Sequence, residues 1–416
     1  MSHFLLSALG SAGDVHPFIA VAQGLRARGH SVQILASPHF EARVRRAGVS
    51  FAPLGEPGDY ERLLQRPELW QPRGGARFIL DELVRRLPES YAATAALAKG
   101  PDTVLVGSTL SWGTRLVQEV TGLPAATIHL SPVCVPSAIR PPILPGVGDL
   151  SWMPAWAVRS LQWAAERGLV DRWIGPRLNA FRSTLGLPPV ERIWSRWMHA
   201  PQLVVCAWPA WFAAPQTDWP PHAVTTGFPL FDEGAAALDP ALQAFLDEGT
   251  APIGITPGSA MAHGELFFAR ALEACRAIGC RVVLITAYRD QLPKNLPDWA
   301  HHVAYAPFSA LVPRLSALIH HGGIGTSAQA LAAGIPQGIV PFAHDQFDNA
   351  ARLRRLGVSR SLDLSIPVDA WVAALHGLLE EGELHEAARR HADRMATDPP
   401  AAERIARELE ALAAQR

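Results

Sequence analysis

Along most of the chain, short uninterrupted apolar runs alternate with stretches of helical spacing. Residues 4–9 form the first such run. A glycine-bearing turn follows at 10–14, and Pro17 stands where a helix starts, since its missing N–H costs nothing in a first turn. Phe18, Ala22 and Leu25 then recur at helical spacing, Gly29 stops the helix, and 32–35 is the next apolar run. Runs without alternation mark parallel strands covered on both faces. The rhythm returns at 103–106, 126–130 and 203–206, and again at 253–256, 281–286, 317–321 and 337–341, with a helix expected over 266–278. These elements predict an α/β chain with two doubly wound sheets. The expected boundaries are 1–226 for the first domain, 227–239 for a Gly/Ala/Asp-rich linker, 240–395 for the second domain and 396–416 for a terminal amphipathic helix.

Length agrees with this division, because 416 residues exceed one ordinary core. Nearly half the residues are apolar (49%), which excludes a disordered chain. The net charge of −1 argues against nucleic acid as the main partner. Cys134, Cys206, Cys275 and Cys280 form no metal-spaced set, so neither metal nor cofactor is expected, and a reducing, cytoplasmic setting fits. The opening residues lack a basic region, and no run of about 20 apolar residues occurs. Nine of the thirteen tryptophans crowd into 151–219, either as a core layer or as an apolar acceptor wall. Trp112, His129, Trp152 and Trp156 are the expected acceptor contacts. Weak peripheral contact with an inner membrane through tryptophans is compatible with this segment, although it contains no strongly basic amphipathic helix.

The candidate chemistry sits at strand-to-helix turns. His320-His321-Gly322-Gly323-Ile324-Gly325-Thr326 follows an apolar run and precedes a helix expected from Ser327. Glycines admit close backbone approach, and a helix start offers amides and a positive dipole end to phosphate. His321, Gly323, Gly325 and Thr326 therefore make a diphosphate site, with Gly258 and Ser259 as a second turn. Asp345 and Gln346 suit sugar hydroxyls, although Asp345 can equally cap a helix. In the first turn, Ser11 and Gly13 are counted among the donor contacts. Asp14 is the candidate base for an acceptor hydroxyl and His16 its competitor. Helix capping by Asp14 is compatible with that role, and burial beside an apolar acceptor would make it a better base.

These residues carry a resemblance. The turn at 321–326, Ala-Gly-Ile-Pro at 333–336, Asp345-Gln346, Asn349-Ala350 and Leu356-Gly357 resemble the signature of family 1 glycosyltransferases. The Gly-Ser-x-Gly-Asp-Val-x-Pro turn at 10–17 is similar to the sterol and glycopeptide members. Segments at 197–202, 209–212, 218–220, 227–232 and 343–350 resemble the rhamnosyltransferase group of rhamnolipid synthesis. The resemblance spans the chain and implies the GT-B fold, two Rossmann-like domains facing a central cleft that closes about the linker. It implies an inverting, metal-independent transfer of glucose or rhamnose from a UDP- or dTDP-sugar to a hydroxylated apolar acceptor such as a phenol or hydroxy-fatty acyl lipid. Asp14 would be the base, and the terminal helix would return to the first domain. Tyr305 stands where the family often has a base-stacking Trp, with Ala306 and Phe308 beside it. Gln329 stands where many members hold the ribose with Glu. Both departures leave uridine and deoxythymidine open. A monomer or homodimer is expected. The rival readings are a nucleotide-sugar epimerase or hydrolase, and a non-catalytic lipid-binding helper.

Overall fold

The computed structural model describes every residue except 73, 99, 233–237 and 416. The chain divides into two compact units, Met1–Phe231 with Pro400–Arg416, and Asp232–Pro399. The first division falls inside the expected linker, whose middle (233–237) lies outside the described residues. Gly227 belongs with the first unit: a Cβ there would stand 3.1 Å from that of Ala401. Asp232 belongs with the second, where its Oδ2 accepts the Ser309 N–H at 2.6 Å.

In the first unit seven parallel strands run in the order β3-β2-β1-β4-β5-β6-β7. They are β1 His3–Ser7, β2 Ser31–Ala36, β3 Ser50–Pro53, β4 Thr103–Ser108, β5 Ala125–His129, β6 Leu203–Cys206 and β7 Ala223–Thr225. β4 and β5 are buried along their whole length, which is why their apolar runs do not alternate. In the second unit six parallel strands run β10-β9-β8-β11-β12-β13. These are β8 Ile253–Thr256, β9 Val282–Ile285, β10 Ala300–Val303, β11 Ala317–His320, β12 Gln337–Ile339 and β13 Ser359–Ser361. Strand order reverses between β1 and β4 in one sheet and between β8 and β11 in the other. Ligands of open α/β sheets bind outside the carboxyl ends of the strands at such points.

Two helix starts differ from the sequence expectation. The first helix spans Ala12–Ala27, so Pro17 lies inside it and not at its start. The cause is Ser11, an extended N-cap residue that closes a capping box with Asp14. The helix after β11 spans Ile324–Ala333, three residues earlier than expected. Thr326 is thus its third residue, and the amides of 324–326 lie in the turn that has no intrahelical acceptors. The helix Ala401–Ala414 packs on Ala12–Ala27. It buries Ile405, Ala406, Leu409 and Leu412, and Glu410 receives Arg28 Nε and pairs with His30 Nε2, each at 2.7 Å. Among the described residues no helix is long and apolar enough to cross a membrane.

Candidate functional site

The candidate residues of the first unit lie at the β1/β4 switch point. Gly10 has φ +132°, and a Cβ there would fall 2.2 Å from Asp14 Oδ2, so only glycine lets the carboxylate fold back over the turn. Asp14 Oδ2 accepts the Ser11 N–H at 2.7 Å and the Ser11 Oγ–H at 3.1 Å, while the Gly13 N–H donates to Ser11 Oγ at 3.2 Å. Ser11 and Gly13 are therefore the scaffold of the Asp14 carboxylate, a duty the sequence reading did not give them. Across the switch point, Ser108 Oγ accepts the Leu9 N–H, and Ser111 Oγ–H donates to the Ser7 carbonyl at 2.6 Å. The His16 ring lies edge-on to Phe231, and its Nε2 receives Arg43 Nη1 at 3.0 Å. A neutral imidazole has one acceptor nitrogen, and here it faces a guanidinium. His16 as base is therefore disfavoured.

The expected acceptor residues are not brought together. Trp112 is 1% exposed, edge-on to Trp197 within an apolar cluster, and its Nε1–H donates to the Thr109 carbonyl. His129 is fully buried. Both are core residues, because the start of the helix Trp112–Thr121 and the end of β5 turn inward. Trp152 and Trp156 are 79% and 72% exposed and stand out from the surface. Missed by sequence reasoning is a chain of polar groups that runs through His129. Thr109 Oγ1 meets His129 Nδ1 at 2.9 Å, and His129 Nε2 meets His199 Nδ1 at 2.8 Å. Burial, with each histidine's neighbour (His199 for His129, Arg115 for His199), pushes both downward, His199 to about 4, so the pair is neutral. Single histidines seventy residues apart give no sequence signal that they will pair.

The candidate residues of the second unit lie at the β8/β11 switch point. The His321 ring occupies a slot between two glycines. A Cβ on Gly258 (φ +95°) would fall 2.6 Å from its Cε1, and one on Gly323 would fall 2.3 Å from its Nε2. His321 Nδ1 is buried and, among the described residues, has no hydrogen-bond partner. Burial, with His320 and His344 nearby, lowers His321 to about 3, so the ring is neutral. Behind it, buried His320 accepts the Gly322 N–H on Nδ1 at 3.1 Å and donates Nε2–H to Gln337 Oε1 at 3.0 Å, which fixes its tautomer and the turn. Gly323 is the N-cap of Ile324–Ala333 and no acidic residue stands in its first turn, so no carboxylate there opposes an anion at the amides of Ile324, Gly325 and Thr326. Half-buried Gln329 is one turn on from Gly325. Ser259 is exposed beyond the β8 turn.

The next loop enters through His344, a non-glycine residue at φ +59°. Asp345 is the N-cap of Gln346–Arg355 but makes no side-chain cap; its Oδ2 accepts Asn349 Nδ2–H at 2.8 Å. Gln346 has only one end of its amide open to a ligand. Its Oε1 accepts the Phe342 and Ala343 N–H groups at 2.7 and 3.0 Å, which leaves only the Nε2 donor. After β10, Tyr305 is 48% exposed, Ala306 is buried, and Phe308 opens a short helix, Phe308–Leu311. That arrangement presents an aromatic face beside backbone groups.

Known proteins bear on this geometry. Residues 4–138 match the family model described as Glycosyltransferase family 28 N-terminal domain, and 269–412 match Erythromycin biosynthesis protein CIII-like, C-terminal domain. The chain is 33% identical to a vancomycin aglycone glucosyltransferase of Amycolatopsis orientalis, over 95% of this chain and 94% of that protein. It is 32% identical to an O-mycaminosyltylonolide 6-deoxyallosyltransferase of Streptomyces fradiae, over 85% and 84%. Among solved structures, the glycotransferase of kitacinnamycin superposes with a TM-score of 0.74 at 20% identity, covering 99% of both chains. Glycosyltransferase VinC in complex with dTDP superposes with a TM-score of 0.71 at 20% identity, covering 100% of both. Two parallel sheets, a glycine-cradled histidine at a helix start in one and a carboxylate at a helix start in the other, together with relatives matched end to end, make this chain a member of the GT-B glycosyltransferases of natural-product type.

Proposed function

We propose that the protein transfers a hexose from a UDP- or dTDP-sugar to a hydroxyl of an apolar small molecule, with inversion and without a metal ion. The observation that carries the reading is the His321 slot: an imidazole nitrogen that is buried and unpartnered among the described residues, in the turn that leads into three helix-start amides, all of which a diphosphate would satisfy. Asp14 takes the proton of the acceptor hydroxyl. The oxygen attacks the anomeric carbon, the bond from that carbon to the diphosphate breaks, and the electron pair leaves on the nucleoside diphosphate. The helix amides and neutral His321 stabilise that charge, the part a metal plays elsewhere. Asp345 and the Gln346 amide address the sugar, Tyr305 stacks on the base, and Gln329 reaches the ribose. VinC was solved with dTDP and the vancomycin relative is named a glucosyltransferase, which supports a nucleotide-linked sugar donor.

The test uses UDP-glucose and dTDP-rhamnose with EDTA present, against a panel of phenols and hydroxy-fatty acyl lipids, with product masses read out. One donor is expected to give a glycoside. Asp14→Asn should lower turnover about 10²- to 10⁴-fold with donor affinity unchanged. Nucleotide release without a glycoside would favour an epimerase or hydrolase. Donor binding with no turnover would favour the helper protein.

A further inference from the structure

A globular helix ordinarily turns its apolar residues inward. The segment around the helix Ala155–Ala165 does the reverse. Among the described residues, eight of thirteen exposed large apolar side chains fall within 139–169. Trp152, Trp156 and Trp163 recur at helical spacing and are 79%, 72% and 52% exposed, whereas Val158 alone in that helix is fully buried. Exposed Arg159 lies in the same stripe, the Arg167 guanidinium sits 5.6 Å over the Trp163 ring, and exposed Arg172 follows.

The charge on this face is sorted. Residues 139–192 hold seven arginines and four acids, but Arg182 is buried against Glu119 and Arg177 pairs with Asp81, which leaves five arginines, among them the exposed Arg159, Arg167 and Arg172. Two of the four acids are turned inward as hydrogen-bond acceptors. Glu166 receives the Ser195 N–H and Oγ–H at 2.7 and 2.6 Å, and Asp171 receives the Arg192 and Ile193 N–H groups at 2.8 and 3.0 Å. Of the other two, Asp149 caps the Ser151 N–H and Glu191 lies 3.4 Å from Arg167. Tryptophans with arginines on one outward face match the boundary of an anionic bilayer, where the indole sits among headgroups and the guanidinium meets phosphate.

We propose that this stripe docks the protein reversibly on an anionic lipid surface, which would bring the enzyme to where apolar acceptors partition. Binding is measured without donor or acceptor, so its outcome is independent of the glycosyl-transfer reading. The whole protein is floated with vesicles of phosphatidylglycerol and of phosphatidylcholine. Wild type should float with phosphatidylglycerol, less so as salt rises. Trp152→Ser with Trp156→Ser should weaken that partition roughly tenfold or more. Arg159→Glu with Arg172→Glu should abolish the preference for phosphatidylglycerol, and both pairs should keep the wild-type melting temperature because the replaced side chains are exposed. Equal flotation of wild type and both variants would overturn the proposal, as would no flotation of wild type. A raised KM for a soluble acceptor with unchanged flotation would overturn it too, and would make the stripe an acceptor wall.

Discussion

A methyl group at position 323 would land on the His321 ring although φ there (−61°) suits any residue. Gly323→Ala therefore isolates one steric fact. It should cost about 1–3 kcal/mol of stability through overpacking, and calorimetry should show roughly tenfold weaker nucleoside-diphosphate binding, as expected for losing a hydrogen bond to a charged group. Adding His321→Ala should restore the stability and leave the affinity low; if Gly323→Ala alone binds like wild type, the ring has no part in holding the diphosphate. The buried histidines make a second statement at this scale. His199 and His320 are lowered to about 4 by burial, so the folded state holds them neutral. Below the unfolded value of about 6.5, the unfolded chain binds protons that the folded one refuses. Stability is thus lost as pH falls from about 6.5 towards 4, with His199 contributing about 3 kcal/mol over that range. Urea unfolding between pH 7 and 4.5 should show that slope, and His199→Gln should reduce it; a flat profile would mean that the ring finds a proton-stabilising partner in the folded state. Sequence made Asp14 and His321 visible because each stands in a turn of fixed spacing. It did not show that Ser11 and Gly13 hold the carboxylate, nor that the Gln346 oxygen is occupied by its own loop, because those duties depend on which way a side chain folds back.

At the level of elements, legibility followed burial. The nine strands expected from continuous apolar runs are present within a few residues. The four that were not foreseen, β3, β7, β10 and β13, are the four sheet edges. An edge strand is covered less, so it needs no apolar run: β7 is half-buried throughout, β13 is Ser-Arg-Ser, and β10 carries two histidines. Helix packing is tightest between Leu87–Leu97 and Trp112–Thr121, where Gly113 meets Ser90. A Cβ on Gly113 would lie 2.6 Å from the Ser90 carbonyl carbon, and backbone cannot swing aside. Gly113→Ala should therefore destabilise the first unit by about 1–3 kcal/mol despite its better helix propensity. A gain in melting temperature would show that the two helices slide apart at no cost.

Over the whole molecule, two cores imply that unfolding need not be a single event. Ile405 and Leu409 are fully buried under the first helix, in the first unit only. Leu409→Ala should cost about 2–4 kcal/mol and move only one of two calorimetric transitions, leaving the transition of Asp232–Pro399 in place. Movement of both together would mean that the units melt as one. The discontinuity of the first unit also bears on the birth of the protein. His30 and its partner Glu410 are 380 residues apart. At the usual pace of a ribosome, the first helix spends roughly 20–75 s without the helix that covers it. Through that interval the first unit stays unroofed while the second is made, so a ribosome that stalls just before the terminal helix would release a chain whose second unit is complete but whose first invites aggregation and chaperones.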